Sequence, residues 1–132
     1  MKDAVLYCDG ASSGNPGESG IGVILTFEGK TYEISEYIGI ATNNIAEYTA
    51  LIRGLSKARS LGIKKLSIFL DSELLVKQLD GTYKVKNERL KELYHAVTSH
   101  LKFFKDYSIK HIPREQNKKA DSLAKKAAKT VS

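Results

Sequence analysis

Lys65-Leu66-Ser67-Ile68-Phe69-Leu70-Asp71 (KLSIFLD, residues 65–71) is a short apolar run without helical period, and it reads as a buried β-strand. It is reached through a helix. Ile45, Tyr48, Leu51, Ile52, Leu55 and Ala58 recur at helical spacing after Thr42-Asn43-Asn44, and Gly62 ends that helix. A strand that follows a helix pairs naturally in parallel with an earlier strand. The run DAVLYCD at 3–9 is such a strand.

The rest of the chain fits around that parallel pair. Residues 10–20, GASSGNPGESG, are turn-rich, and GIGVILTF at 20–27 is a second strand. Glu28-Gly29-Lys30 makes a tight turn into a third strand, TYEISEYIGI at 31–40, which completes an antiparallel meander. Beyond KLSIFLD, residues 72–79 form a short helix and 81–87 a basic loop. Residues 88–104 form a longer helix with Leu90, Leu93, Tyr94, Val97 and Leu101 on one face. DYSIKHI at 106–112 is the last strand, and 113–116 is a loop. The final helix starts at Asn117, with Ala120, Leu123, Ala124 and Ala127 inward and five lysines outward. The order βββαβααβα predicts one α/β domain over residues 1–132. Its five-stranded mixed sheet has three antiparallel then two parallel strands, flanked by helices.

Composition narrows the function. A chain of 132 residues with 42% apolar content suits one domain with a sizeable core. One Cys excludes an internal disulfide, and one Cys with three scattered His excludes a thiolate or Cys/His zinc site. No apolar run approaches the roughly 20 residues of a membrane span. MKDAVLY leads straight into strand-like sequence, so a cytoplasmic protein without a signal peptide is expected. Residues 1–50 carry two bases against seven acids, whereas residues 51–132 carry nineteen bases against eight acids. A basic half beside an acidic half hints at a polyanionic partner.

The acids give that hint chemical content. Asp9 ends the first strand and Asp71 the fourth. In parallel neighbours those ends lie about 5 Å apart, and the carboxyl ends of parallel strands are where ligands bind in open α/β sheets. Two carboxylates that close repel unless a cation sits between them. Glu47 falls in the first turn of the first long helix and Asp121 in the first turn of the last. Four hard oxygen ligands at one edge suit Mg²⁺ or Mn²⁺ rather than zinc. Two such ions about 4 Å apart are the arrangement for in-line phosphodiester hydrolysis. Each acid also has a structural reading. Glu47 follows Asn44 at capping-box spacing, Asp121 complements a helix dipole, and Asp9 and Asp71 suit turns at strand ends. A phosphate-binding loop at GASSGNPG is excluded, because no Lys-Ser/Thr follows the glycines and the next element is a strand.

Five stretches, DGASSGNPG (9–17), GIGVIL (20–25), TNNIAEYTALIRGL (42–55), FLDSELLVKQL (69–79) and HIPREQNKKADSLAKKA (111–127), occur in the order seen in type 1 ribonuclease H. The chain resembles that family, which cuts the RNA strand of RNA/DNA hybrids, over nearly its whole length. The resemblance implies that Asp9, Glu47, Asp71 and Asp121 hold two Mg²⁺ ions, with Mn²⁺ as a substitute. One ion would activate water and the other stabilise the leaving 3′-oxygen, giving 5′-phosphate and 3′-hydroxyl ends. It places backbone groups of Gly10, Ala11 and Ser12 near RNA 2′-hydroxyls, Asn15, Asn43 and Asn44 at the minor groove or a DNA phosphate, and Thr42 in a phosphate pocket. The family's histidine ten residues before the last acid falls on His111, with Arg114 as a rival. The segment DGTYKVKNER at 80–89 is too short for the family's basic protrusion and leaves Lys84 and Lys86 as backbone contacts. The implied protein is a monomer with an RNA/DNA hybrid as partner, no membrane and no small-molecule cofactor. Two alternatives stay open: a same-fold nuclease that also cuts double-stranded RNA, and a non-catalytic hybrid-binding module.

Overall fold

Three strands joined by short turns open the chain: β1 (Ala4–Ser12), β2 (Gly17–Phe27) and β3 (Lys30–Ala41). Glu28 and Gly29 form the two-residue β2–β3 turn with φ of 52° and 78°, the positive values that match the twist of a hairpin. The structure, a computed structural model, describes residues 3–129; Met1 and Lys2, at the start of the MKDAVLY run, and residues 130–132 lie outside it. After the meander come α1 (Asn43–Ser60), β4 (Lys65–Leu70), α2 (Glu73–Leu79), α3 (Glu88–Leu101), β5 (Asp106–His111) and α4 (Lys118–Ala128). The sheet order is β3-β2-β1-β4-β5, with the first three strands antiparallel and the β1–β4 and β4–β5 pairs parallel. The expected five-stranded mixed sheet is present.

Several boundaries differ from the sequence reading. β1 does not end at Asp9: Gly10, Ala11 and Ser12 continue to pair with Ile21, Gly20 and Ser19. The turn-rich stretch therefore shrinks to residues 13–16. Parallel pairing with β4 stops at Cys8 and Leu70, so Asp9 and Asp71 stand one residue beyond the last parallel pair. α3 ends at Leu101, where the Lys102 amide closes the last turn onto the Thr98 carbonyl. The expected loop at 113–116 contains a single 3₁₀ turn over Arg114–Gln116.

Side-chain alternation divides the sheet into two faces. Leu6 and Cys8 of β1, Ile21, Val23 and Leu25 of β2, and Leu66, Ile68 and Leu70 of β4 are buried in one core with Tyr48, Leu51, Leu55 and Ala58 of α1 and Val97 and Leu101 of α3. Burying each large aliphatic side chain there is worth about 1.5–3 kcal/mol. The other face of β2 carries α4. Its alanines, Ala120, Ala124 and Ala127, lie against Gly20 and Gly22, and a Cβ on Gly22 would fall 2.0 Å from the Ala120 carbonyl oxygen. Gly62 (φ 73°) closes α1 as expected, with the Ile63 amide reaching back to the Ala58 carbonyl.

Candidate active site

The site begins where α1 meets β1. A Cβ on Gly10 would lie 2.3 Å from the Ala46 carbonyl carbon and 2.5 Å from the Glu47 nitrogen, so only glycine lets the first turn of α1 rest on the strand. Thr42 is the N-cap of α1, its Oγ1 accepting from the Ile45 amide at 3.2 Å. The capping-box reading of Asn44 and Glu47 is thereby replaced, and with α1 starting at Asn43 Glu47 lies just past the first turn rather than in it. Glu47 turns to β1, and its Oε1 accepts from the Gly10 amide at 3.3 Å, while Asp9 Oδ1 accepts from the same amide at 3.0 Å.

Asp71 joins them from the end of β4. One carboxylate oxygen from each of Asp9, Glu47 and Asp71 lies within 4.8 Å of the other two. Asp9 is only 4% exposed. Burial, then the adjacent Glu47 charge, pushes the Asp9 carboxyl far above the usual carboxylate range. Burial also raises Glu47, a rise that the hydrogen bond with Asp9 partly offsets. Asp121 enters from the first turn of α4 and bonds Lys125 Nζ at 3.1 Å. Its burial works upward, but the hydrogen bonds with Asp9 and Lys125 prevail and lower its pKa. Glu47 Oε2 is buried with no hydrogen-bond partner. Converging carboxylates, with one buried oxygen left unpartnered, form a donor set that fits a hard divalent cation.

These acids line a cleft of about 350 Å³ with Gly10, Ala11, Ser12, Asn43, Asn44, Ser72, Arg114 and Lys125. The Asn43 Oδ1 accepts from the Ser12 amide at 3.2 Å, and the Asn15 Oδ1 accepts from the Asn43 amide at 3.0 Å. Asn15 therefore stands behind Asn43 and ties the residue 13–16 turn to α1. Arg114 faces the acids, and its charge favours the ionised forms of Glu47 and Asp121. His111 is exposed at the end of β5, outside the cleft lining. Lys84 and Lys86 are exposed after α2, and Lys84 lines a separate hollow with Tyr83, Tyr94 and His95. Three residues escaped the sequence reading. Ser72 both caps α2 and lines the cleft. Lys125 pairs with Asp121 at a spacing that helical periodicity does signal. Asn117, 2% exposed, donates through Nδ2 to Asp71 Oδ2 and to the Cys8 carbonyl, each at 2.9 Å.

Residues 7–127 match the reverse transcriptase-like domain family. The bifunctional protein Rv2228c of Mycobacterium tuberculosis is 40% identical over 126 residues, covering 93% of this chain and 35% of that protein. The chain thus spans about a third of that relative's length. RNase H1 of the halophilic archaeon Halobacterium salinarum superposes with a TM-score of 0.90 at 39% identity, over 96% of this chain and 97% of that one. LC11-RNase H1, solved in complex with an RNA/DNA hybrid, superposes at 0.87 with 42% identity, over 95% and 96% of the two chains. The four acids, the sheet order and these likenesses agree: the chain belongs to the type 1 ribonuclease H family.

Proposed function

We propose that this chain is a metal-dependent endoribonuclease that hydrolyses the RNA strand of RNA/DNA hybrids, leaving 5′-phosphate and 3′-hydroxyl ends. The convergence of Asp9, Glu47 and Asp71 within 4.8 Å, with Asp121 beside them, carries this reading. The hybrid bound by LC11-RNase H1 supports the choice of substrate.

Asp9, Glu47, Asp71 and Asp121 would hold the ions. Two Mg²⁺ ions, or Mn²⁺ in their place, would supply an activated water and neutralise charge on the leaving oxygen. The protein's own groups do the rest. Gly10 lets Glu47 close on Asp9, and Arg114 presents a cation to the scissile phosphate. Asn15 and Asn43 use their carbonyl oxygens within the protein, which leaves their NH₂ groups as donors to a sugar or phosphate oxygen. Asn44, the Gly10–Ser12 backbone and Thr42 complete a surface that reads 2′-hydroxyls and backbone rather than base sequence. Lys84 and Lys86, set apart from the cleft, add salt-dependent phosphate contacts. The chain acts as a monomeric catalytic domain in the cytoplasm. Among the described residues no helix is long and apolar enough to cross a membrane.

The test is cleavage of a labelled hybrid beside matched RNA/RNA and DNA/DNA duplexes, in Mg²⁺ and in EDTA, by wild type and Asp71→Asn. Hybrid-specific, metal-dependent cutting that Asp71→Asn abolishes is expected. Equal cutting of RNA/RNA widens the substrate class. Tight hybrid binding without cleavage overturns the enzyme reading in favour of a binding module.

A further inference from the structure

We propose that Asn117 is a positioning residue that sets the spacing of three of the four acids, an inference that rests on the nuclease reading of this cleft. Asn117 is the N-cap of α4, where an asparagine side chain ordinarily accepts a first-turn N–H and stabilises the helix. Here it makes no such bond. It turns into the sheet instead, and both of its Nδ2 hydrogens are used, one on the Cys8 carbonyl and one on the Asp71 carboxylate, at 2.9 Å each. Both partners are acceptors, so only the NH₂ end of the amide can face them. The main-chain carbonyl of Asn117 accepts from the Asp121 amide at 3.0 Å.

One residue thus touches the peptide that leads into Asp9, the carboxylate of Asp71 and the backbone of Asp121. Two local features are unfavourable. α4 goes without a side-chain cap, and Asn117 Oδ1 is buried with no hydrogen-bond partner. A residue serving only the stability of α4 would cap it. The amide serves the acids: its charge-assisted bond holds the Asp71 carboxylate against repulsion from Asp9 and Glu47. Without that N–H, Asp71 is free to turn away, and the oxygen set opens.

The experiment compares wild type, Asn117→Ala, the similarly shaped, uncharged Asn117→Leu and Ala127→Gly. Ala127→Gly loosens α4 away from the acids. Mn²⁺ affinity is measured by calorimetry, folding by thermal melts in EDTA, and kcat and KM on a labelled hybrid. Partners that orient metal ligands typically change metal affinity or activity by about 10–100-fold when removed. A loss of that size in Mn²⁺ affinity and kcat is expected for Asn117→Ala, with KM for the hybrid held within about twofold of wild type. Ala127→Gly should lower the melting temperature and leave Mn²⁺ affinity unchanged. Asn117→Leu roughly keeps the shape and volume of the side chain without adding a charge beside Asp71, so it reports on the lost N–H donors even if the alanine variant melts early. The inference is overturned if folded Asn117→Ala or Asn117→Leu binds Mn²⁺ like wild type, whatever its melting temperature. A wild type that binds Mn²⁺ but cuts no hybrid removes the nuclease reading alone, and metal affinity then decides this one.

Discussion

Replacing Gly10 by alanine tests how the site is assembled. The new methyl would sit 2.3 Å from the Ala46 carbonyl carbon and 2.5 Å from both the Ala46 oxygen and the Glu47 nitrogen. All three are backbone atoms, so no side chain can swing aside. Restoring an ordinary contact of at least 3.4 Å moves the first turn of α1 off β1 by about 1 Å. Overpacking of this kind costs about 1–3 kcal/mol, and more where the backbone resists. Glu47 moves with that turn, away from Asp9 and the Gly10 amide. A misplacement of about 1 Å in a reacting constellation costs roughly a hundredfold in rate. Urea unfolding should therefore give Gly10→Ala a lower midpoint with an unchanged m-value, and hybrid cleavage in Mg²⁺ should fall by roughly that factor. Gly29→Ala is the control. A Cβ there meets nothing within 4 Å, but φ is 78°, so about 1–2 kcal/mol of backbone strain is expected without loss of activity. If Gly10→Ala matches wild type in stability and rate, the close approach of α1 to β1 does not hold Glu47 in place.

Three further outcomes follow from the geometry. Asp9 and Glu47 bind protons more tightly folded than unfolded, so their contribution to stability in EDTA is fullest below the ordinary carboxylate range near pH 4 and declines as pH rises through and beyond it. Thermal melts of Asp9→Asn from pH 5 to 9 should show an advantage over wild type that widens with pH, and a constant gap would count against the crowded cluster. Arg114 lines the cleft whereas His111 does not, so Arg114→Ala should lower kcat by about tenfold or more through lost electrostatic stabilisation, and His111→Ala should stay within about twofold; the reverse ranking in steady-state assays would refute the placement. Leu51, fully buried between α1 and the sheet, should lose about 2–5 kcal/mol on truncation to alanine, read by urea unfolding with cleavage at low denaturant unchanged.

Much of this was legible along the chain. KLSIFLD and DAVLYCD read as strands because apolar side chains on both faces leave no helical period. The spacing from Ile45 to Ala58 and the closing Gly62 marked α1 because the period and the stop signal agree. The pairing of β1 with β4 followed from the helix between them. What failed was local. Asp9 looked like a strand end because Gly10 begins a glycine- and serine-rich stretch, yet pairing with β2 carries the strand on to Ser12. Glu47 looked like a capping-box partner of Asn44, yet Thr42 is the cap. Cap identity depends on where the chain first turns, and a run of three candidate residues does not specify that.

Sequence alone determined the element order and the mixed five-stranded sheet and singled out four candidate acids, because periodicity, turn chemistry and chain connectivity are legible along the chain. The tertiary structure decided which side chains serve the acids. Asn117 sits where a helix cap is expected, and only the packing of α4 on β1 and β2 turns its amide to Cys8 and Asp71. Arg114 and His111 lie three residues apart, and the 3₁₀ turn between β5 and α4 sends one into the cleft and leaves the other outside. Gly10 reads as a turn glycine and Gly22 as an ordinary strand glycine until the helices they admit are in place. The physical reason is the same each time: hydrogen bonds and close contacts between distant segments have no signature in either segment until the sheet brings both together.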